Sequence, residues 1–287
     1  MNNKLKSPVN IPVEKIRPFE GHPYKVLDNE EMNSLIDSIQ QKGIISPIVV
    51  RPLENTDDEY EIISGHRRLR ASVKAGLETV PALIYAVSRD EAAIMLVDSN
   101  LHREHILPSE RAFAYKLKME AMSRQGYRSD LTSCQVGTKL RTDEIIAENS
   151  TDSARQIQRY IRLTNLIPEL LDLVDEERIA FTPAVELSYL NEVEQADLVE
   201  EIRVCDATPN LSQAQRLRAI SREEGLTPEH IGEILAEEKA NQREKIKIPA
   251  ERIRKYFPKS YTTEQIEEAI IKICESRYRA RQGRDAR

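Results

Sequence analysis

Several absences narrow the function of this sequence before any motif is considered. No apolar run among its 287 residues approaches the roughly 18–20 residues that cross a bilayer. The N-terminal stretch Met1–Asn10 is polar and has no secretory-type apolar segment. A membrane role is therefore not expected. The three cysteines, Cys134, Cys205 and Cys274, lie too far apart for a metal spacing and offer no disulfide framework. The expected compartment is a reducing cytoplasm. Internal repeats are absent. So is an excess of positive charge: 42 Lys and Arg against 48 Asp and Glu leave a net charge of −6.

That acidity is local. Between Glu169 and Asp206 twelve acids face only Arg178 and Arg203. Basic groups collect elsewhere: Arg67, Arg68 and Arg70, then Arg155, Arg159 and Arg162, then five arginines from Arg277 to Arg287. Local clustering matters more than the total for contact with nucleic acid, so the net charge does not exclude DNA. With 40% hydrophobic and 31% charged residues, the chain reads as a soluble α+β protein of about two domains and a smaller third segment.

Residues 1–107 alternate strand and helix signals and read as a small α/β domain. Asn10–Glu14, Ile44–Arg51, Glu59–Ser64 and Val80–Val87 have strand character. Asp28 is expected to cap a helix with Met32, Leu35, Ile36 and Ile39 at helical spacing, stopped by Gly43. A second helix runs from His66 to about Ala75, and Ser88–Glu91 forms a capping box for a third that ends near Asn100. Residues 108–220 read as an all-helical domain. It starts with a helix from Ser109 to Arg124, followed by a loop over Tyr127–Gly137. Asp206–Leu211 and Arg222–Thr227 look like linker. Residues 221–287 form a linker, a short alternating stretch Lys245–Pro249, and helices over Ala250–Tyr256 and Thr262–Arg281, with Ile266, Ile270, Ile273 and Tyr278 on one side.

The first functional candidate is Ser64-Gly65-His66-Arg67-Arg68-Leu69-Arg70, at a strand-to-helix junction. Glycine lets the backbone approach a ligand, and the helix start offers unpaired N–H groups and the positive end of a dipole. Arg67 and Arg68 add forks suited to phosphate oxygens. About 30 residues on, Asn100 supplies a neutral oxygen suited to Mg²⁺ and Arg103 another cation. The second candidate is a helix-turn-helix: Thr142–Glu148, the turn Asn149–Asp152, then Ser153–Asn165. Ile146 and Ala147 would pack on Ile157, Tyr160 and Ile161. Ser153, Arg155, Gln156, Gln158, Arg159 and Arg162 would face DNA, with no acid from Ser153 to Leu166. Arginine and glutamine suit base edges in the major groove. The turn lacks glycine, so Asn149 is expected in the left-handed conformation.

Together these residues resemble the ParB partition family. Ser64–Ala71 is similar to its G-E-R-R-x-R-A box, Ser99–Arg103 to its E-N-x-x-R box, and Gly43–Arg51 to its G-[IL]-x-Q-P-[IL]-x-V-R segment. Ile11–Pro18 resembles its opening strand. Ile161–Pro168 and Ile179–Ala184 resemble its later L-R-L-x-x-L-P and I-S-x-x-H-A elements, with Pro183 in place of the histidine. The likeness spans roughly residues 10–190. It implies a ParB/sulfiredoxin-like N-terminal fold that binds CTP with Mg²⁺ and a homodimer that closes as a clamp on double-stranded DNA. It also implies a role in plasmid or chromosome partition, or in regulating a mobile element, with a partition ATPase as partner. Gly65, His66, Arg67, Arg68, Arg70 and Arg103 would surround the phosphates, Asn100 would ligate Mg²⁺, and Ser46 and Pro47 would lie near the base. His66 and Ser99 replace glutamates associated with hydrolysis, so binding is expected more than turnover, with at most weak CTP hydrolysis. The C-terminal order resembles a ribbon-helix-helix dimerisation segment, with a small helical appendage as the alternative. Two rival functions are a nucleotide-dependent kinase-like enzyme on the same N-terminal fold and a repressor without nucleotide dependence.

Overall fold

The computed structural model describes residues 7–54, 56, 58–101, 103, 105–125, 141–237, 253–258 and 261–285. Five strands form one sheet in the order β1-β5-β3-β4-β2. They are β1 Val9–Pro12, β2 Ile16–Arg17, β3 Ile48–Pro52, β4 Tyr60–Ser64 and β5 Thr79–Ile84. β1 lies antiparallel to β5, β5 parallel to β3, β3 antiparallel to β4, and β4 parallel to β2. Consecutive side chains on a strand point to opposite faces. Ile62 accordingly joins Ile48, Val50, Val80 and Ala82 in one buried cluster, which Leu69 packs against. Ile63 joins Ala92, Ala93, Leu96 and Val97 in another.

Three helices accompany the sheet: α1 Glu30–Lys42, α2 His66–Lys74 and α3 Arg89–Asn100. α1 and α2 share a core of Met32, Ile39 and Ala71. The Ser88–Glu91 capping box of α3 is present. The cap of α1 is Asn29 rather than Asp28: Asn29 Oδ1 accepts from Met32 N–H at 3.1 Å. Asp28 is held outside the helix by Arg70 and Lys74, whose hydrogen bonds push its carboxyl down to about 2. The sheet also buries one ion pair between β3 and β4, Arg51 Nε to Glu61 Oε2 at 2.7 Å. Removing one partner of such a pair strands a buried charge.

The helical part comprises α4 Pro108–Arg124, α5 Thr142–Glu148, α6 Ala154–Leu163, α7 Pro168–Asp175, α8 Phe181–Leu187, α9 Glu192–Cys205, α10 Leu211–Glu223 and α11 Pro228–Ala236. Its core does not stop at residue 220: Leu226, Ile231, Ile234 and Leu235 are buried with Leu198, Ile202 and Leu217. Of Arg222–Thr227, the first two residues end α10 and the rest is an exposed connection pinned by the buried Leu226. Within it the Leu226 N–H donates to Glu194 Oε1 at 3.1 Å. The first compact unit accordingly runs to Glu237. Asn149 is not left-handed, with φ −107° and ψ 16°; the turn closes by Asn149 N–H and Ser150 N–H bonding back to Ile146 and Ala147 carbonyls.

The second unit covers residues 238–287. It contains a helix over Thr263–Asp285, on which Ile271 and Ile273 are exposed. The loop expected over Tyr127–Gly137 and the stretch Lys245–Pro249 lie outside the described residues.

Candidate functional site

The β4–α2 junction builds the centre of the site. Gly65 caps α2 at φ 100° and ψ 25°, a conformation that L residues avoid. A Cβ there would stand 2.9 Å from Ile48 Cγ2 and 3.0 Å from an Arg68 nitrogen. The backbone therefore enters α2 directly, and the N–H groups of its first turn have no side-chain cap. Such a helix start attracts anions.

In front of it lies a cavity of about 560 Å³. The loop after β2 contributes His22, Tyr24 and Lys25, and α1 contributes Glu31, Ser34 and Ser38. Ser64 to Arg68 form the floor, and Asn100 and Arg103 close the far side. Arg67 is paired with Glu31 at 2.9 Å. Arg68 Nη1 donates to the carbonyl oxygens of Ser46 and of Pro47, the latter at 2.8 Å, and burial pulls its pKa down. Arg103 stacks over the Tyr24 ring, 5.7 Å from its centroid, and has no carboxylate partner among the described residues. Asn100 is buried, and its Nδ2 donates to the Leu96 carbonyl at 2.7 Å. That bond leaves Oδ1 as the atom able to meet a cation. Ser99 Oγ is turned back to the same carbonyl at 3.0 Å.

Three expected residues stand apart from this constellation. Arg70 is committed to Asp28 through two bonds, at 2.9 and 2.5 Å, and does not line the cavity. Arg70 lies one turn beyond Arg67 on the same side of α2, farther from the helix start, where Asp28 pairs with it. Ser46 and Pro47 are likewise absent from the lining; their contribution is to hold Arg68 with their carbonyls.

The structure adds residues that spacing did not reveal. His22 and Tyr24 are the additions: His22 packs against the expected His66, ring centroids 3.7 Å apart and planes inclined by 38°. His22 Nδ1 lies 2.8 Å from the Tyr24 carbonyl, which can only accept, so this nitrogen carries the proton. Burial, then His22, then Arg103 push His66 down to about 3. Burial lowers His22 as well and raises the Tyr24 phenol. His66 Nε2 and Tyr24 Oη are both buried without a partner among the described residues, and both residues line the same cavity. Buried polar atoms in this condition usually mark a missing water, ion or ligand. The loop bearing His22, Tyr24 and Lys25 has no periodicity to expose it in the sequence; its density of polar rings beside Gly21 and Pro23 was the only available signal.

The helix-turn-helix is assembled on α4. Ile146 and Ile157 are buried with Tyr115 and Met122, flanked by Ala147, Tyr160 and Ile161. Tyr115 Oη reaches Asp152 at 2.6 Å and Ser150 at 2.7 Å, and Arg111 pairs with Asp152 at 3.3 Å. These contacts hold the turn from below. Ser153 caps α6, accepting from Gln156 N–H. On α6, Arg155 and Gln158 are exposed, and Gln158 also bonds Asp143 at 3.0 Å. Arg159 bonds Gln156 and Thr182 and stacks on Phe181. Arg162 differs from the expectation of a free phosphate-facing cation. It lies 3.8 Å from the Tyr189 centroid, donates to the Ser188 carbonyl at 3.3 Å, and has its Nε buried without a partner.

Residues 2–101 match the family described as the ParB N-terminal domain. The chain is 32% identical over 171 residues to the chromosome-partitioning protein Spo0J of Thermus thermophilus, covering 60% of this chain and 56% of that protein. It is 31% identical over 195 residues to the nucleoid occlusion protein of Listeria innocua, covering 68% and 62%. It thus spans about three-fifths of the length of these relatives. Two solved structures of the C-terminally truncated chromosome-partitioning protein ParB from Caulobacter crescentus are also similar. The complex with the centromeric parS site has a TM-score of 0.42 at 23% identity, covering 74% of this chain and 98% of that one. The complex with CTP-gamma-S has a TM-score of 0.32 at 26% identity, covering 68% and 98%.

Proposed function

We propose, on the premise that residues 2–101 are a ParB N-terminal domain, that this chain is a sequence-specific double-stranded-DNA-binding protein gated by a nucleoside triphosphate. Its nucleotide is CTP, and it acts as a homodimeric clamp in the partition of chromosomal or plasmid DNA. One observation carries the nucleotide reading. An uncapped helix start, Arg67, Arg68 and Arg103 converge on a cavity that also contains two unpartnered buried polar atoms, Tyr24 Oη and His66 Nε2. That set suits an elongated polyanion.

The choice of CTP rests on the three sequence boxes that resemble the family. Mg²⁺ would arrive with the phosphates and meet Asn100 Oδ1, since hard cations at phosphate sites use few protein ligands. The donor set fits that modest role: no cluster of three metal-ligating acids, histidines or cysteines occurs among the described residues. Binding is favoured over hydrolysis, because the two positions with glutamate in the family carry His66, an imidazole held neutral, and Ser99, bonded to its own helix.

The DNA reading rests on α5 and α6, with Arg155, Gln156 and Arg159 toward base edges. A homodimer and a partition ATPase are the partners that complete the clamp. Titration calorimetry with CTP, ATP, GTP and UTP in Mg²⁺ tests the nucleotide arm. CTP is expected to bind tightest, and failure of all four would overturn it. Genome-wide capture of bound DNA tests the other arm; a recurrent inverted-repeat site with flanking enrichment is expected, and uniform background would overturn sequence-specific clamping.

A further inference from the structure

We infer that the His22–His66 pair, two rings in close tilted contact, is a phosphate-binding element of this cavity that takes up a single proton as the nucleotide enters. The inference rests on the nucleotide reading above and deepens it.

Part of the positive charge of the cavity is already paired. Glu31 on α1 holds Arg67, and the Ser46 and Pro47 carbonyls hold Arg68. Lys25 is bound by Asp172 at 3.3 Å and Asp175 at 3.2 Å, both on α7. Glu110 of α4 is occupied by the Lys25 backbone N–H at 2.7 Å. Arg103 alone among the lining cations has no carboxylate or carbonyl partner among the described residues. Arg68 keeps its charge despite its carbonyl contacts, so Arg68 and Arg103 are the lining cations without a carboxylate partner among the described residues. A triphosphate, with Mg²⁺ offsetting only part of its charge, sets further anionic oxygens against the two imidazoles in a recess where water screens poorly.

The cheapest added positive charge is a proton on an imidazole. His66 opens α2, so its ring stands beside the helix start, and its Nε2 is enclosed without a hydrogen-bond partner. His22 keeps its Nδ1 proton on the Tyr24 carbonyl, so an incoming proton would sit on Nε2 and turn an acceptor into a donor. In the empty cavity burial and Arg103 oppose that proton on both rings; phosphate oxygens reverse the balance. Only one proton can be taken up, because two imidazolium rings at 3.7 Å would repel strongly. The pair titrates as a unit.

Linkage gives the sign. If the complex binds one more proton than the empty protein, affinity rises as pH falls, by up to about tenfold per pH unit. The test is calorimetry of the full chain with CTP and Mg²⁺ at pH 7 in buffers of different ionisation enthalpy. The wild type should take up close to one proton more than the His22→Gln/His66→Gln variant; the titration of CTP itself is common to both and cancels. Equal uptake by the two proteins overturns the inference while leaving nucleotide binding intact. No CTP binding at any pH from 6 to 8 overturns the nucleotide reading and this inference with it. Should the double variant fail to fold, NMR titration of the wild-type imidazole resonances decides: one midpoint should move upward when CTP is present, and unmoved midpoints overturn the proposal.

Discussion

At the scale of single residues, Gly65 is the position on which the cavity depends. Its left-handed φ and the contact that a Cβ would make with Ile48 predict that Gly65→Ala costs about 1–3 kcal/mol of stability and more than tenfold in CTP affinity, read by chemical denaturation and calorimetry. Arg103→Gln separates the two effects. Its guanidinium lies over the Tyr24 ring with no salt bridge among the described residues, so CTP affinity should fall about tenfold or more, the scale of one charge-assisted contact, while the denaturation midpoint barely moves. His66 gives a pH prediction for the empty protein. Its folded pKa of about 3 lies below the ordinary 6.5, so the unfolded chain binds the proton more readily. Stability should fall as pH drops from about 6.5 toward 3, and thermal melts of His66→Gln should show a shallower acid-side loss. At this scale the sequence showed Gly65, Arg67, Arg68, Asn100 and Arg103, because each combines a special residue type with a helix boundary. Arg70, expected with them, does not line the cavity; Asp28, 42 residues earlier, pairs with it, a contact that residue type does not announce.

At the scale of elements, α6 carries two kinds of arginine. Arg155 is exposed, whereas Arg162 is sandwiched against Tyr189, whose ring Arg218 also approaches at 3.5 Å. Arg155→Ala should weaken DNA binding, reduce its salt dependence or relax base preference, and leave the melting temperature unchanged. Arg162→Ala should instead lower stability by about 1 kcal/mol or more through lost stacking and packing, with its DNA effect following from a loosened α6. Electrophoretic mobility shifts across a salt series, paired with thermal melts, distinguish the two variants. Sequence pattern made α5 and α6 legible, because the apolar Ile145–Ala147 precedes a polar turn and Ile157 and Ile161 then stand four residues apart on α6. The support of the turn was not legible: Tyr115 and Arg111 come from α4, more than thirty residues earlier.

At the scale of the whole molecule, the loop after β2 joins the sheet domain to the helices. Lys25 bridges to Asp172 and Asp175, and Asp175 also accepts from Ser109 N–H and Oγ at 3.0 and 2.6 Å. Asp175→Ala strands those donors, and the first unfolding transition should move down by a few degrees, measured by calorimetry. The sequence by itself determined the local features: strands from β-branched runs, helices from apolar spacing and caps, a phosphate-suited glycine–arginine turn, and a pair of helices with helix-turn-helix proportions. These follow from interactions within a few residues along the chain. Tertiary structure alone decided which arginines remain available, that the helical core continues through α11, and that His22, distant in sequence, packs against His66. Such outcomes depend on contacts closed across long loops, where burial and competing partners, rather than residue type, set what each side chain can do.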